Sequence, residues 1–310
     1  MPRRRLATLS FLTLAAAPGL ATGAPTLEEL VVTGTPPSRY TQATTRALTG
    51  FEKSFLDLPR VVEIVPEQIL LDQKITDLGE ALRNVPGVAQ SDGFGGTNDD
   101  FFLRGFRRNT VYRDGLRRRS NFKTNPTNVE RIEVIKGPAS IGFGQVEPGG
   151  LVNIVTKRPL EETRLNTEFR TGRFDDRLAL VDWSQRVTDG FAFRLNASAE
   201  RSDTFRDFTE VERDALALST RHDFGEATRL DLSLEYREES RPLDRGTVAV
   251  PTPDGGRTVI PVPRSRRLGE PFETFDTTFA FAQLDLVHAF GERWELRVAA
   301  ALEQSDSDDV

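Results

Sequence analysis

The 310 residues contain no cysteine, a single methionine and only two histidines, His222 and His288. Without cysteine, disulfide scaffolds, cysteine-ligated zinc, iron–sulfur clusters and thiol nucleophiles are excluded. Two histidines leave little material for a metal site or a catalytic triad, and acid pairs such as Asp175-Asp176 have no base or nucleophile set beside them. His-based metal sites and catalytic triads are therefore disfavoured, and the protein is not expected to be an enzyme.

The sequence also lacks a basic excess and a long apolar run. Basic residues number 41 and acidic residues 47, which gives a net charge of -6, so no nucleic-acid partner is expected. After the first two dozen residues, no apolar run reaches the roughly 18 residues that a membrane-spanning helix needs. Strands that alternate polar and apolar residues remain compatible with a membrane β-barrel.

Residues 1–23 have the order of an export signal: three arginines, an apolar stretch from Leu6 to Ala17, and then small residues. Residues 24–50 follow with a short β-prone segment, Leu27 to Gly34, and a linker rich in Pro and Thr. The β-prone segment is either a place where another protein adds a strand or a frayed end. The signal predicts export to the periplasm, the outer membrane or the exterior of a bacterium.

Residues 51–160 have the pattern of a compact, glycine-punctuated domain of mixed helices and strands. Apolar residues from Ile75 to Val85 recur at steps of three and four and predict an amphipathic helix, which Pro86-Gly87 ends. The glycine-rich loops lack the sequences that phosphate-binding loops need, so no nucleotide site is expected. Strands are predicted at Val61–Val65, Phe101–Phe106, Val129–Lys136 and Leu151–Lys157, with a flexible loop at Ser91–Asp100.

From about Arg164 onward, apolar and polar residues alternate at period two. The segments exceed the usual ~5–6 residues of a strand, short and long connections alternate, and aromatic residues lie beside the short turns. These features favour a membrane barrel over a soluble sandwich. Seven strands are predicted, at residues 164–172, 177–187, 191–202, 214–224, 229–239, 273–290 and 293–304, and the aromatic residues are Phe191, Phe224, Phe290 and Trp294.

Seven strands do not close a barrel of even strand number, and open edges in lipid leave backbone groups unpaired. The polar run from Ser305 to Val310 is predicted to begin an outer loop. An eight-stranded barrel fills its interior with its own side chains and has no room for residues 51–160. We therefore expect residues 161–310 to be the N-terminal part of a larger barrel, with lumen-facing acids Asp182, Glu200, Asp231, Glu235, Asp285 and Glu295.

Five sequence motifs follow one another in the middle of the chain. They are LRNVPGV at 82–88, LRGF at 103–106, YRDGL at 112–116, VERIEVIKGPAS at 129–140 and EPGGLVNIVTKRP at 147–159. In this order and spacing, between an export signal and barrel-like strands, they resemble the plug domain of TonB-dependent outer-membrane receptors of the ferric-siderophore branch.

The resemblance implies an α+β plug domain at residues 51–160, inside an antiparallel transmembrane β-barrel that has 22 strands in the family. It implies an outer-membrane protein, surrounded by outer-membrane lipid, that binds a ferric siderophore and imports it with energy delivered by the TonB–ExbB–ExbD system. The iron stays in its chelator, so no protein ligand to iron and no cofactor is expected. The expected TonB contacts are Leu27, Glu28, Glu29, Leu30, Val31, Val32 and Thr33.

The resemblance also implies two sets of contact residues in the plug. Loops at Asp92–Asn98, Arg117–Lys123 and Gly142–Glu147 are expected to face outward, and the candidate siderophore contacts are Asp92, Phe94, Arg119, Phe122 and Gln145. Other charged residues are expected to meet the charged lumen of the barrel. The candidate plug–barrel contacts are Arg104, Arg113, Glu130, Arg131 and Glu133.

Two alternative functions stay open at this point. One is TonB-dependent import of another cargo, such as haem, vitamin B12, a nickel chelate or an oligosaccharide, although the sequence of Glu147–Gly150 favours a ferric siderophore. The other is a surface receptor or adhesin without transport, which does not need the TonB segment.

Overall fold

A computed structural model describes residues 40, 44–45, 53–54, 60–108, 110–118, 122–138, 143, 146, 148–291 and 293–309. An α/β part, which we call the plug, extends to about residue 160, and a long antiparallel sheet, which we call the wall, begins at Arg164. The expected export signal and the segment Leu27–Thr33 lie outside the described residues. No helix in the described part of the chain has both the length and the apolar character to cross a membrane.

The described residues of the plug form short strands, three short helical segments and a 3₁₀ turn at Pro126–Asn128. The strands are β1 (Thr44–Thr45), β2 (Lys53–Ser54), β3 (Val61–Pro66), β4 (Val88–Gln90), β5 (Phe101–Leu103), β6 (Phe106–Arg108), β7 (Val111–Arg113), β8 (Leu116–Arg117), β9 (Val129–Lys136) and β10 (Gly150–Thr156). The helices are α1 (Glu67–Asp72), α2 (Leu78–Leu82) and α3 (Gly93–Gly96). One sheet has the order β3-β9-β10-β7-β8 and a second has the order β4-β5-β6, while β1 pairs with β2.

The strand β10 lies at the centre of the larger sheet. It pairs antiparallel with β9 and parallel with β7, so both of its edges are hydrogen-bonded and nearly all of its side chains are buried. A strand buried on both faces has a nearly continuous apolar sequence, as residues 151–155 do. The two predicted strands of this region are confirmed, and they pack with the helices into one core of Val65, Leu70, Ile75, Leu78, Ala81, Leu82, Val85, Phe101, Leu103, Val111, Val129, Ile132, Val134, Val152 and Ile154.

The helix predicted from Ile75 to Val85 is much shorter than its apolar pattern. Only α2 is helical, because Asp77 caps it by accepting a hydrogen bond from Glu80 N at 2.9 Å. The Glu80 carboxylate in turn accepts the backbone N–H of Thr76, the residue before the cap, at 2.9 Å, so two side-chain bonds fix the start of the helix. The apolar residues on both sides of α2 are still buried, so the prediction was right about the buried face and wrong about the helix length.

Two other predicted elements of the plug differ in the structure. The single strand predicted at Phe101–Phe106 is a hairpin of β5 and β6, because Arg104 and Gly105 turn the chain with φ of 53° and 85°. The segment predicted as a flexible loop at Ser91–Asp100 contains the tight turn α3, in which Phe94 and Gly95 have positive φ and do not follow α-helical geometry. Arg104 therefore lies in a tight, exposed turn.

The wall is a seven-stranded antiparallel sheet in which neighbours in sequence are neighbours in space. This confirms the predicted number of strands and their up-and-down order. The strands are β11 (Arg164–Thr171), β12 (Arg177–Thr188), β13 (Phe191–Ser202), β14 (Val211–Phe224), β15 (Thr228–Arg241), β18 (Phe275–Phe290) and β19 (Trp294–Asp309). A small hairpin, β16 (Ala249–Pro251) with β17 (Arg257–Val259), lies within the long connection between β15 and β18.

The end of the wall differs from the prediction. The run from Ser305 onward was expected to begin a loop, but β19 continues to Asp309 and pairs with β18 as far as Phe275. At this end of the ladder polar residues face each other: Asp276 pairs with Asp308, Thr277 with Ser307 and Thr278 with Asp306. Backbone hydrogen bonds alone extend a strand where its side chains are solvated, so the apolar pattern ends before the strand does.

The two faces of the wall differ in character, as the alternation predicts. One face contacts the plug and carries the buried acids Asp182, Glu200, Asp231 and Asp285, and the side chain of Glu235 is also only 7% exposed. Glu295, which was expected to join them, is exposed beside the short turn that begins β19. The opposite face presents exposed apolar side chains, and aromatic residues lie at the short turns as predicted. The exposed apolar residues include Leu216, Leu218, Leu234, Leu284, Leu302, Phe224, Phe290 and Trp294.

Candidate functional site

A buried ion pair joins the plug to the middle of the wall. Arg113 of β7 donates from Nη2 to Glu235 Oε2 of β15 at 2.7 Å, and each side chain is 7% exposed. The same carboxylate oxygen accepts Asn128 Nδ2 at 2.9 Å, and Arg237 Nε lies 3.0 Å from the other oxygen. Glu235 therefore holds two guanidinium groups, one from the plug and one from the wall.

Two phenylalanine rings of the wall lie beneath the arginines at this contact. The Arg113 guanidinium is 4.1 Å from the ring centre of Phe281, and that of Arg237 is 4.2 Å from the ring centre of Phe279. Both phenylalanines are almost fully buried, although they lie on the face of the sheet that carries the buried acids. Their rings exclude water from the ion pairs and attract the cations directly.

A second cluster joins the wall to the C-terminal end of the plug. Lys157 Nζ lies 3.0 Å from both Asp182 of β12 and Glu67 of α1. Arg194 of β13 binds Asp182 through two N–H···O bonds of 2.8 and 2.7 Å, a geometry that only arginine provides. The adjacent Arg158 reaches Asp231 at 2.7 Å and Asp285 at 3.3 Å.

Smaller polar contacts spread over the rest of the interface. Thr127 Oγ1 donates to Ser198 Oγ at 2.9 Å, Arg213 donates to the carbonyl oxygen of Thr76 at 2.7 Å, and Lys74 pairs with Glu168 at 2.8 Å. The plug and the wall are thus held together mainly by hydrogen bonds and ion pairs. Contacts of this kind can be exchanged for water one at a time, whereas a dry apolar interface has to separate as a whole.

Beside this interface the plug buries a charged cluster of its own. Asp99 accepts a hydrogen bond from Thr124, which also accepts one from Arg118 at 2.9 Å. Burial raises the pKa of Asp99 above its usual value, against the attraction of Lys123 and Arg118. Burial and repulsion by Arg237 lower the pKa of Arg118 to about 10, so this guanidinium is still charged at neutral pH. It lies 5.5 Å from the ring centre of Phe279 on the wall.

The other expected plug–wall residues have partners inside the plug. Arg131 pairs with Glu130 at 2.8 Å and with Glu133 at 2.9 Å. Glu133 is fully buried and accepts Asn153 Nδ2 at 3.0 Å from the neighbouring strand. The charge of Glu130 also acts on Arg194 of the wall, and contact with the wall stays a prediction for Arg131 and Glu133.

Three of the five expected siderophore contacts, Asp92, Phe94 and Phe122, lie close together in the described part of the plug. Asp92 and Phe94 belong to the turn around α3, and Phe122 forms a bridge with Asn98 at the end of that turn. The ring of Phe122 packs against Phe275, the first residue of β18, at 6.0 Å between centres. Two further expected contacts, Arg119 and Gln145, lie outside the described residues.

A segment of the wall that the sequence did not single out holds this turn. Asp244 N donates to the carbonyl oxygen of Gly95 at 3.1 Å, and Arg241 donates to that of Gly96. The Arg245 guanidinium lies 4.3 Å from the ring centre of Phe94. The contacts join residues about 150 positions apart, so no local sequence pattern predicts them.

Among the residues that the structure describes, no group of three or more His, Asp or Glu side chains is placed to hold a metal ion. The site therefore consists of a hydrogen-bonding and aromatic surface at the edge of a plug that charged residues fix to a wall. A polar plug joined to one face of an antiparallel wall, with apolar residues on the other face, is the architecture of plugged membrane receptors.

Comparison with known proteins agrees with this architecture. Residues 54–151 match the family model of the TonB-dependent receptor plug domain. The chain is 32% identical over 242 residues to the catecholate siderophore receptor Fiu of Escherichia coli K12, which covers 76% of this chain and 30% of Fiu. The crystal structure of the closed form of Fiu matches with a TM-score of 0.80 and 27% identity, over 88% of this chain and 40% of that one.

Two further relatives are described as receptors for other chelates. The metal-pseudopaline receptor CntO of Pseudomonas aeruginosa is 31% identical over 86% of this chain and 38% of its own length. The ferrioxamine receptor of Yersinia enterocolitica is 30% identical over 88% of this chain and 39% of its own length. The chain thus spans between 30% and 39% of the length of these relatives. The chain belongs to the TonB-dependent receptors.

Proposed function

We propose that this protein binds ferric siderophores at the bacterial cell surface and imports them across the outer membrane. The observation that carries the proposal is the polar contact between plug and wall, centred on the Arg113–Glu235 pair of 2.7 Å. Polar contacts of this kind hold the plug against the wall, and they can be exchanged for water when the plug rearranges during import. Relatives described as receptors for catecholate siderophores and for ferrioxamine support iron-loaded siderophores as the cargo.

Import against a gradient needs an energy source, and the outer membrane holds none. We assign the energy to the TonB–ExbB–ExbD system, with Leu27, Glu28, Glu29, Leu30, Val31, Val32 and Thr33 as the TonB contacts. The β-prone residues of this segment suit addition as a strand to a partner sheet. The linker rich in Pro and Thr that follows connects this segment to the plug, where Tyr40 of the linker donates a hydrogen bond to Asp72 of α1 at 2.5 Å.

The wall supports placement in the outer membrane. Its apolar face carries exposed leucines and phenylalanines, whose contact with lipid removes them from water. The iron enters as cargo in its chelator, so the receptor needs neither a resident cofactor nor a catalytic group. Binding followed by movement of the plug is the whole of the proposed activity, and the protein is not an enzyme.

A second cargo class has a specific observation in its favour. CntO, at 31% identity, is described as a receptor for a metal–pseudopaline complex, so a chelate of a metal other than iron is the runner-up. Haem and vitamin B12 have no such support among these relatives.

Growth under iron limitation tests the proposed function. We expect a strain that lacks this gene to lose growth on at least one supplied ferric siderophore, and the intact gene to restore it. Growth on zinc or nickel supplied as a pseudopaline-type chelate, measured in the same strains, tests the runner-up. Unchanged growth of the deletion strain on every ferric siderophore would contradict the proposal.

A further inference from the structure

The turn of the plug that carries Phe94 is held by a single segment of the wall, Arg241–Arg245. Successive residues of the segment meet successive residues of the turn: Arg241 bonds Gly96, Asp244 N bonds Gly95, and Arg245 covers Phe94. Leu243 packs so closely against Gly95 that a Cβ there would lie 2.9 Å from Leu243 Cδ1. The turn and the segment therefore form one surface, to which the plug contributes the ring and the wall contributes the cation.

Phe94 has an unusual conformation for an exposed aromatic residue. Its backbone lies in the left-handed region, with φ 53° and ψ 59°, which is costly for any residue other than glycine. Its side chain is 47% exposed, so core packing does not explain the conformation. The wall contacts hold the turn in place and leave one part of the ring covered by Arg245 and the rest open.

The charge at this surface is carried by Arg245. The neighbouring arginines are paired with carboxylates: Arg241 with Glu239, Arg206 with Asp244, and Arg107 with Asp100. In the described part of the chain, no carboxylate lies within ion-pair distance of Arg245, whose guanidinium rests on the ring of Phe94. A cation without a carboxylate, stacked on an exposed ring, attracts a flat group that carries negative charge.

We propose that Phe94 and Arg245 form a specificity element that selects anionic, aromatic ferric chelates of the catecholate type over uncharged ferric hydroxamates. The proposal rests on the proposed function and names its substrate class. Sequence similarity does not make this choice, because relatives described as catecholate, ferrioxamine and metal-pseudopaline receptors are all 30–32% identical to the chain. The chemistry of the two side chains favours the catecholate class, because the ring of Phe94 stacks on a catechol face and the guanidinium of Arg245 donates to catecholate oxygens.

Binding by the purified intact receptor tests the proposal. The probes are the anionic ferric complex of dihydroxybenzoic acid and ferrioxamine E, an uncharged ferric trihydroxamate, and the readout is the dissociation constant from quenching of tryptophan fluorescence. We expect Arg245→Ala to weaken binding of the catecholate complex about tenfold or more and to leave binding of ferrioxamine E, where it occurs, within about twofold. Arg245→Lys keeps the charge but loses the planar stack, so an intermediate loss is expected.

Arg264→Ala is the matched control. Arg264 also lies over an exposed phenylalanine, Phe205, at 4.8 Å, in the same long connection, and we expect its removal to leave both affinities unchanged. Equal catecholate affinity in the wild type and Arg245→Ala, or equal losses for both chelates, would overturn the specificity element. Failure of the wild type to bind either chelate would instead contradict the proposed function, so the two failures are distinguishable.

Discussion

Replacing Glu235 by alanine is expected to detach the β7–β8 edge of the plug from the wall. The substitution removes the carboxylate that binds Arg113 at 2.7 Å and Asn128 at 2.9 Å and that lies 3.0 Å from Arg237. Two buried guanidinium groups then lose their counter-charge over Phe279 and Phe281, and breaking a buried pair from one side costs about 3–5 kcal/mol. Amide hydrogen exchange of Val111–Arg113 in the intact receptor is expected to become roughly 100-fold faster or more.

The matched control is Glu212→Ala. Glu212 also pairs with an arginine of the wall, Arg201 at 3.1 Å, but both side chains are more than 40% exposed. Water replaces an exposed pair at little cost, so exchange in β7 should stay as it is in the wild type. Similar exchange in Glu235→Ala and Glu212→Ala would mean that the buried pair does not hold the plug.

Replacing Val31 by proline is expected to abolish import while binding at the cell surface remains. Proline has no N–H to donate to a neighbouring strand and is excluded from the interior of a ladder. If TonB binds Leu27–Thr33 by strand addition, the loss should be nearly complete. The measurement is uptake of a radioactive iron siderophore by energised cells, compared with the amount bound by the same cells after de-energisation.

Ser38→Pro is the control for this variant. Ser38 follows Pro36-Pro37 in the linker, where another proline changes the composition little and no strand is expected. Uptake by Ser38→Pro should match the wild type. Normal uptake by Val31→Pro would remove the assignment of the TonB contacts and leave the fold of the plug and wall unaffected.

The wall was predictable because its signal is local. Alternation at period two needs only neighbouring residues, so the predicted strand at 191–202 coincides with β13, and the seven-stranded order follows from the connection lengths. The plug strand Gly150–Thr156 was as clear, because burial on both faces leaves a nearly continuous apolar run. The ends of strands were harder to predict, because β19 continues through polar residues that do not alternate with apolar ones.

The contacts between plug and wall were only partly predictable. Arg113 and Glu133 are both charged residues of plug strands, and the sequence does not distinguish them. The structure turns Arg113 towards Glu235, 122 positions later, and turns Glu133 into its own sheet, towards Asn153. The partner depends on which edge of the sheet meets the wall, and this is a property of the packed fold.

The residues around Phe94 were also only partly predictable from the sequence. The sequence singled out Phe94 from the position of its loop, but Arg245 lies in a long connection without regular pattern and was missed. Phe279 and Phe281 were also missed, because aromatic residues were expected beside the short turns and these two lie far from the short turn that follows β18. The available signal was two phenylalanines at alternate positions of one strand, on the face that also carries polar residues. The signal can be used only when it is known which face of the strand meets the plug.

A disulfide between plug and wall tests the central claim most directly, namely that the plug packs against the wall through polar contacts that must change during import. Thr127 Oγ1 and Ser198 Oγ lie 2.9 Å apart, and the 310 residues contain no other thiol. For Thr127→Cys/Ser198→Cys in intact cells, we expect mild oxidation to protect both thiols from maleimide and to stop siderophore uptake, and reduction to restore both. Thiols that stay reactive after oxidation, or uptake at the wild-type rate with the disulfide formed, would contradict the account.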